Sequence, residues 1–520
     1  MDRCGTGICL VRYIHVTLFL FHGGAGENCA RPERQQLRSR AGRPGTILPD
    51  SPACPEPCAG EGGYGRKGEG MSTYLIGVLG LVVLVVLLFM GMHIGIAMAL
   101  VGFAGCVILK GFPAAIGYMT NTPFATCNAE SLTVIPMFTL MGVACAYAGI
   151  SQQLYAACYK WISRRRGGLA IATEIACAFF GAICGSATAT TASMGKICLP
   201  EMDRYKYKRT LTCGSISAGG TLGILIPPSV GFMLYGINAG VGVGTMFISG
   251  ILPGILLCLC YSLVVVVICI LDPEAGPKGP KFTMKEKLKA LGGVAPVLIL
   301  FIVVLGGILA GWFSASEGGA IGAFGAIVFM IIKGKFTWKN ITGALKDTIE
   351  TTAMVFMIMI GANILGNFFS ASQLPQALST WAAGANVAPL WILLGCLAIY
   401  GILGCFVDSL PLIVLLTPIF LPVIQKLNFS VFANVAPALR VNYQTIWFGV
   451  LMVMLMQFGL MTPPVGMTCY VMSGIAKDTP LSKIFRGTAP FLIGIGAAIL
   501  IILLVPSLTT WLPSIMRYGG

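Results

Sequence analysis

The chain has 520 residues, of which 56% are apolar and only 10% are charged, and its net charge is +15 at pH 7. A soluble core cannot bury so large an apolar share, whereas continuous apolar runs of about 20 residues match a bilayer core about 30 Å thick. The composition therefore predicts an all-α polytopic membrane protein and excludes a β-barrel, in which apolar and polar residues alternate.

Residues 1–70 differ from the rest of the chain. They contain nine Lys and Arg, seven Asp and Glu and five of the 19 Cys, and Met71 then begins an apolar run typical of a membrane-protein start. We interpret residues 1–70 as a non-native or disordered N-terminal extension, whose deletion should not affect function. The alternative is a secretory signal peptide around residues 10–21, but no clear cleavage site follows that apolar run.

Apolar segments after residue 70 predict membrane-spanning helices. They lie near residues 74–90, 93–110, 132–149, 211–236, 244–270, 291–311, 315–333, 349–370, 386–403, 443–475 and 488–512. Residues 271–290 are polar and rich in Gly, Pro and Lys, so we expect a cytoplasmic connection there. This connection would divide residues 71–512 into a first repeat of about residues 71–270 and a second of about residues 291–512.

Basic residues mark the cytoplasmic side. After residue 70 there are 25 Lys and Arg against 12 Asp and Glu. The bases cluster at Lys160 with Arg164 to Arg166 and in residues 204–209, 278–289, 333–346 and 477–486. The positive-inside rule places these loops in the cytoplasm. Topology thus explains the net charge, and no interleaving of aromatic and basic residues indicates a nucleic-acid partner.

Two segments are predicted to be re-entrant hairpins. Residues 169–203 connect two basic loops, and about 35 helical residues give a path of roughly 50 Å. Two crossings of the bilayer core need about 60 Å and a turn. The segment must therefore return to the cytoplasmic side, with its tip at residues 184–191. Residues 396–425 have a similar length and central interruption, and inverted repeats would make this second hairpin open to the other face.

Each hairpin precedes a second interruption rich in Gly and Pro. GAICGSATATTASMG (181–195) is followed by GGTLGILIPPS (219–229), and GILGCFVDSLPLIVLLTPIFLP (401–422) is followed by FGLMTPPVG (458–466). Unwound backbone at bilayer depth is tolerated only inside the protein or along a cavity. Paired interruptions in two halves are therefore typical of the substrate and ion site of a secondary transporter.

The candidate ion and substrate residues lie at these interruptions. Hydroxyl and carbonyl oxygens suit Na⁺, and the N-termini of half-helices suit a substrate carboxylate. Packing of small residues between helices is the competing explanation for the same residue types. The predicted set is Gly185, Ser186, Thr188, Thr190, Gly223, Pro227, Asp408, Ser409, Thr462, Pro463 and Gly466, with Na⁺ bound at a subset of them as the coupling ion and no other cofactor.

Three carboxylates at membrane depth need separate explanations, because charge is costly there. Asp408, beside Ser409, could balance a cation or could cap the helix that follows it. Glu317 follows Ser-Ala-Ser at a helix start, so we expect a cap or a partner of the helix dipole. Glu174 lies towards the cytoplasmic end of the first hairpin and is expected to be structural.

Other chemistry finds little support in the sequence. His93 is the sole His after residue 70, so no His-based metal site or nucleophilic triad can form there, and we do not expect an enzyme. The 14 Cys after residue 70 are scattered through apolar segments and are best explained as small reduced core residues. The chain contains no GxxxxGK[ST] loop, which argues against ATP as the direct energy source.

The motifs resemble the large membrane subunit, often called DctM, of tripartite ATP-independent periplasmic (TRAP) transporters. The resemblance covers about residues 71–512 and includes GxxxGSAxAxxA at 181–192, GxLGxxIPPS at 220–229, GxxxDSxPxxxLxxPIxxP at 404–422 and TPPVG at 462–466. Cys184 stands where Ser is common in the family. GWFSASE (311–317) replaces the usual Thr-Pro-Thr-Glu, which weakens any role carried over to that stretch.

This resemblance implies an elevator mechanism, in which a transport domain with both hairpins slides against a scaffold domain as Na⁺ enters. It also implies a location in the bacterial inner membrane and organic-acid substrates such as C4-dicarboxylates and sialic acids. Two partners are implied as well, a periplasmic substrate-binding protein and a small four-helix membrane subunit. We expect that the small subunit is not fused to this chain. The sequence does not choose among the acids. A self-sufficient dicarboxylate or citrate carrier is the main alternative, and a channel or membrane enzyme a more distant one.

Overall fold

The structure, a computed structural model, describes residues 73–385, 387–433 and 435–515. The extension predicted at residues 1–70 lies outside this range. The described residues are helical throughout apart from short connections, contain no strand, and include nine helices that are long and apolar enough to cross a membrane. The predicted all-α polytopic membrane fold is confirmed.

The helices of the first half begin at Thr73. They are α1 (Thr73–Phe89), α2 (Ile94–Lys110), α3 (Phe112–Cys127), α4 (Val134–Tyr147), α5 (Ile150–Ile162), α6 (Gly168–Cys184), α7 (Ala187–Arg204), α8 (Arg209–Leu225), α9 (Val230–Ala239) and α10 (Val243–Leu271). A short 3₁₀ helix, Glu130–Thr133, precedes α4.

The helices of the second half follow a connection without helix between Leu271 and Met284. They are α11 (Met284–Leu309), α12 (Ala315–Ile332), α13 (Trp338–Ser372), α14 (Leu374–Gly384), α15 (Pro389–Gly404), α16 (Ser409–Lys426), α17 (Pro437–Met461), α18 (Met467–Ile475), α19 (Leu481–Leu504) and α20 (Ser507–Ile515). The 3₁₀ helix Ser430–Phe432 lies between α16 and α17.

Helices α6 and α7 form the first predicted hairpin, with the break between Cys184 and Ala187. Its two outer ends meet, because the backbone N–H of Leu169 donates to the hydroxyl of Tyr207 at 3.3 Å. Tyr207 in turn donates to the carbonyl of Pro277 at 2.8 Å. The chain therefore enters and leaves this hairpin on the same side, as predicted.

The connection between the halves packs on these outer ends. Gly167 donates its backbone N–H to Gly276 at 2.9 Å, and Lys208 donates its own to Ala275 at 3.1 Å. The Lys208 ammonium also lies 2.5 Å from the Asp272 carboxylate, and this hydrogen bond holds the pKa of Asp272 below its ordinary value. The polar connection thus fixes both flanks of the first hairpin at the basic side of the protein.

Helices α15 and α16 form the second hairpin, with the break at residues 405–408. The two arms contact each other through the rings of Tyr400 and Phe420, whose centroids are 5.6 Å apart. The hairpin covers residues 389–426, so its predicted start at residue 396 was wrong. The separate span predicted at 386–403 is its first arm, because the apolar run there is continuous and hides where the arm begins.

Several other boundaries differ from the prediction. The single spans predicted at 211–236 and 443–475 are each interrupted, at residues 226–229 and 462–466. Helix α13 begins at Trp338 rather than at residue 349, since its first turns are polar and lie outside the apolar window. Helices α3, α5 and α14 were not predicted because they are short, and α3 and α5 also carry polar residues.

The two halves interlock. Helix α7 packs against α18, and α9 packs against α16. Asn238 on α9 donates to the carbonyl of Val414 on α16 at 2.8 Å, and Tyr235 on α9 donates to the carbonyl of Thr445 on α17 at 2.7 Å. A second set of cross-half contacts joins α2 to α13 and α4 to α12. Each half therefore packs extensively against helices of the other half.

Candidate functional site

A half-helix begins directly after each of the four interruptions. The residues at the N-cap positions are Ser186 before α7, Ser229 before α9, Asp408 before α16 and Gly466 before α18. The first backbone N–H groups of a helix have no partner within it, and the helix dipole makes that end positive. Four such ends in the interlocked core can attract anionic groups.

The first hairpin turns at Gly185. This residue has φ of +66°, a left-handed conformation that glycine adopts at no steric cost, and its N–H donates to the carbonyl of Gly181 at 2.7 Å. Ser186 then begins α7 and accepts the N–H of Ala189 on its hydroxyl at 3.4 Å. One glycine therefore ends α6 and one serine starts α7, with no residue between them.

Hydroxyl groups cluster at this turn. The Thr188 Oγ1 lies 3.2 Å from the Ser186 Oγ. Thr190 donates to the Ser186 carbonyl at 2.7 Å, and Thr191 donates to the Ala187 carbonyl at 2.9 Å. The two threonine bonds are ordinary contacts to the carbonyl four residues earlier in a helix. Neutral side-chain and backbone oxygens thus lie along the first two turns of α7, and oxygens suit a hard cation such as Na⁺.

Glycines of α8 form the surface on which the first turn rests. A Cβ atom on Gly223 would lie 2.9 Å from the Thr190 Oγ1 and 3.1 Å from the Ser186 carbonyl oxygen. A Cβ atom on Gly185 would lie 3.2 Å from the carbonyl oxygen of Pro228, in the interruption after α8. The structure therefore brings together Gly185, Ser186, Thr188, Thr190 and Gly223. Pro227, the residue before Pro228, lines an apolar cleft between α6 and α10.

Asp408 caps α16 in the second hairpin. Its Oδ1 accepts the backbone N–H of Ser409 at 2.7 Å, and the Ser409 hydroxyl lies 3.3 Å from the same oxygen. Ser409 is buried, whereas Asp408 is partly exposed. The capping role weighed for Asp408 is therefore present, and its participation in an ion site stays a prediction.

The second hairpin break rests on the interruption after α17. Val465 donates its backbone N–H to the Cys405 carbonyl at 3.4 Å, and a Cβ atom on Gly459 would collide with the Gly404 carbonyl. Thr462 donates to the Phe458 carbonyl at 2.6 Å. Gly466 has φ of +54°, and Pro463 is exposed, unlike the buried Pro227 of the first half.

The predicted residues of the two halves form two separate clusters. Among the described residues, no hydrogen bond joins residues 185–190 or 223–229 to residues 405–409 or 462–466. The clusters are connected through packed helices instead. A Cβ atom on Gly231 would lie 3.5 Å from Ile413, and one on Gly195 would lie 3.5 Å from the Met472 sulfur.

The other two carboxylates have different surroundings. Ser314 donates its backbone N–H to the Glu317 Oε2 at 2.7 Å, and Glu317 donates its own to the Ser314 Oγ at 3.3 Å. The cap expected for Glu317 is thus found, as a complete capping box. Glu174 is fully buried beside Gly219, and neither carboxylate oxygen has a hydrogen-bond partner among the described residues.

The sequence analysis did not single out two further polar residues. Ser229 caps α9 by accepting the N–H of Phe232 at 3.3 Å. Gln457 on α17 is fully buried, and neither atom of its amide has a partner within the described part of the chain. A lone amide in the apolar run LMVMLMQFGLM was the signal that could have identified Gln457.

Among the described residues, no Lys or Arg side chain forms a hydrogen bond or an ion pair with either cluster. Lys196, the base of α7 closest to the first turn, lies more than two helical turns beyond Ser186 and is exposed. No group of three or more His, Cys, Asp and Glu residues that could hold a metal occurs in residues 73–385, 387–433 and 435–515. Oxygen atoms and helix ends therefore supply the site's chemistry.

A family model described as "Tripartite ATP-independent periplasmic transporter, DctM component" matches residues 81–508. The C4-dicarboxylate TRAP transporter large permease protein DctM of Pseudomonas aeruginosa is 30% identical over 419 residues, covering 79% of this chain and 93% of that protein. The sialic acid TRAP transporter large permease protein SiaM of Vibrio cholerae is 27% identical over 435 residues, covering 83% of this chain and 97% of that protein. These relatives are transporter permeases, and the prediction that the chain is not an enzyme is confirmed.

A solved structure shares the fold. The YdaH transporter of Alcanivorax borkumensis, described as having an unusual topology, aligns with a TM-score of 0.52 and 14% sequence identity. The alignment covers 76% of this chain and 89% of that protein.

Proposed function

Because the chain belongs to the DctM components of tripartite ATP-independent periplasmic transporters, we propose that it is the large permease subunit of a Na⁺-coupled importer of organic acids. It is a multi-pass membrane protein of TRAP type, and we place it in the bacterial inner membrane. The observation that carries the proposal is the pair of hairpin breaks, each held against a second interruption that starts a half-helix.

Sodium coupling is supported by the oxygen atoms at the first turn. The hydroxyls of Ser186 and Thr188 lie within hydrogen-bond distance of each other, and the Thr190 hydroxyl donates to the Ser186 carbonyl. Na⁺ binds such neutral oxygens without a carboxylate. The second turn offers the Asp408 carboxylate and the Ser409 hydroxyl, so each hairpin can hold a cation.

An organic acid is supported by the half-helix N-termini. The N-termini of α7, α9, α16 and α18 are positive dipole ends, which favour a carboxylate. The Pseudomonas and Vibrio relatives are named for C4-dicarboxylate and for sialic acid, both of which are carboxylate compounds. The substrate of this chain is accordingly proposed to be a carboxylate, without choosing among these acids.

The partners follow from the tripartite family. We propose a periplasmic substrate-binding protein that delivers the acid and a small four-helix membrane subunit that accompanies this chain. An elevator movement would carry both hairpins, with α8, α9, α17 and α18, past the outer group that includes α2, α4, α12 and α13. The cross-half contacts within each group support this division.

Reconstituted vesicles test the proposal. Proteoliposomes containing this chain and its small subunit, supplied with the loaded binding protein, should accumulate labelled organic acid when an inward Na⁺ gradient is imposed. A self-sufficient dicarboxylate or citrate carrier would accumulate the acid without the binding protein. Passive equilibration without accumulation would indicate a channel, and either result would reject the proposal.

A further inference from the structure

An unassigned cavity lies at the cytoplasmic ends of four helices, outside the site described above. It has a volume of about 600 Å³ and is lined by the end of α5 and the loop after it, the start of α6, the second half of α10 and the start of α11. The residues that determine its character are Trp161, Arg164, Arg165, Leu259, Leu263 and Lys287.

The cavity is positively charged. Arg164, Arg165 and Lys287 line it without a carboxylate, and none of them takes part in the ion pairs found among the described residues. Trp161 donates its indole N–H to the Lys287 carbonyl at 3.3 Å, and the Lys287 ammonium lies 5.7 Å from the centre of the Trp161 ring. Two guanidinium groups and an ammonium at one opening suit a phosphate.

Two apolar clefts adjoin the charged cavity, each with a volume of about 330 Å³. The first shares Leu259 with the cavity and runs between α6 and α10 as far as Pro227. The second shares Trp161 and Ile162 with it and runs between α5, α6 and α11. A charged compartment with two apolar extensions has the shape of a phosphate group with two hydrocarbon chains.

The cavity also opens towards the bilayer. Leu259 and Leu263, one helical turn apart on α10, are each 62% exposed, so their surface lies against lipid. The nearby loops are basic and therefore cytoplasmic, and a Trp side chain is favoured at the membrane interface. The cytoplasmic leaflet carries anionic lipids that basic pockets between helices bind.

We propose that this cavity binds one anionic phospholipid of the cytoplasmic leaflet. Its phosphate contacts Arg164, Arg165 and Lys287, and its two acyl chains occupy the two clefts, which both touch Ile175 and Phe179 of α6. Charge complementarity selects this occupant over a zwitterionic lipid, which has no net charge for the three cations to neutralise. Since α6 is an arm of the first hairpin, the bound lipid lies between that hairpin and its neighbours α5, α10 and α11.

Native mass spectrometry of the full chain, purified in detergent with any subunit that accompanies it, tests this site. Dioleoyl phosphatidylglycerol should be retained as one tightly bound molecule per chain, and dioleoyl phosphatidylcholine should bind at least about tenfold more weakly. The triple variant Arg164→Gln, Arg165→Gln, Lys287→Gln should lose that preference. The triple variant Lys335→Gln, Lys339→Gln, Lys346→Gln, which removes the same charge elsewhere on the cytoplasmic surface, should keep it.

The acyl-chain clefts are tested separately. Ile255→Trp places a ring in the first cleft, whereas Ile302→Trp places one on an exposed face that lines neither cleft. Only Ile255→Trp should weaken phosphatidylglycerol binding, and unchanged thermal unfolding of both variants without added lipid would show that they are folded. The proposal would be overturned if the two lipids were retained equally, or if both triple variants lost the preference for phosphatidylglycerol to the same extent. Displacement of the bound lipid by excess inorganic phosphate alone would also overturn it.

Discussion

Gly181 on α6 and Gly223 on α8 bring the backbones of two helices into direct contact. A Cβ atom built on Gly181 would lie 2.5 Å from the Cα of Gly223. Backbone atoms cannot rotate away as a side chain can, so any larger residue at Gly181 must move one helix. Because Gly223 also lies under Thr190 and the Ser186 carbonyl, such a movement would displace the oxygen cluster of the first turn.

We therefore expect Gly181→Ala to lower stability by about 1–3 kcal/mol through overpacking and to reduce Na⁺-driven uptake. Gly496→Ala on α19 is the matched control, since a Cβ atom there meets nothing within 4 Å. That change should leave uptake intact and stabilise its helix by up to about 1 kcal/mol. Thermal unfolding in detergent and vesicle uptake check both variants, and similar effects of the two changes would contradict the contact described.

The proposed ion-binding role of Ser186 can be separated from its role as a helix cap. Ser186→Ala and Thr337→Ala each remove an N-cap hydroxyl, from α7 and from α13, and each should cost about 1 kcal/mol. Only Ser186→Ala should also raise the Na⁺ concentration needed for half-maximal uptake, because only that hydroxyl lies in the oxygen cluster. An unchanged Na⁺ requirement in Ser186→Ala would remove this hydroxyl from the proposed ion site.

Asp408 and Glu317 provide a similar comparison between two capping carboxylates. Asp408→Asn keeps a capping side chain but removes the charge, so we expect Na⁺ dependence to weaken or uptake to be lost at normal expression. Glu317→Gln makes the same change in a capping box that is remote from both hairpin turns, and it should transport normally. Full uptake by the unmodified chain in sodium-free buffer, driven by a proton gradient alone, would disprove the assignment of the coupling ion.

Sequence reasoning located the hairpins because their interruptions combine Gly, Ser, Asp and Pro in otherwise apolar runs. It could not give the start of the second hairpin, since the residues from Pro389 to Gly404 are uniformly apolar and an arm then resembles a span. The sequence also could not show which helix backbone each glycine contacts. Whether Gly181 or Gly223 faces a neighbouring backbone depends on helix packing between segments that are far apart in the chain.

The two turns are predicted to open to opposite sides of the membrane. In the structure Ala187 and Ser409 are only 2% and 3% exposed, so a thiol probe can reach a Cys there only after movement. In a cysteine-free background, Ala187→Cys should react preferentially from the cytoplasm and Ser409→Cys from the periplasm, each in one transport state. Reaction of both from the same side in every state would contradict the inverted arrangement of the hairpins.

The central claim is that this chain is one component of a three-part importer whose own site captures its substrate weakly. Among the described residues, no Arg or Lys pairs with either oxygen cluster, and each helix end contributes only about 0.3–1 kcal/mol to binding an anion. The most direct measurement is Na⁺-driven uptake into vesicles that contain this chain and its small subunit, with and without the loaded binding protein. We predict little accumulation until the binding protein is added and rapid accumulation afterwards. Rapid, saturable, Na⁺-driven uptake without that protein would contradict the account and identify a self-sufficient carrier.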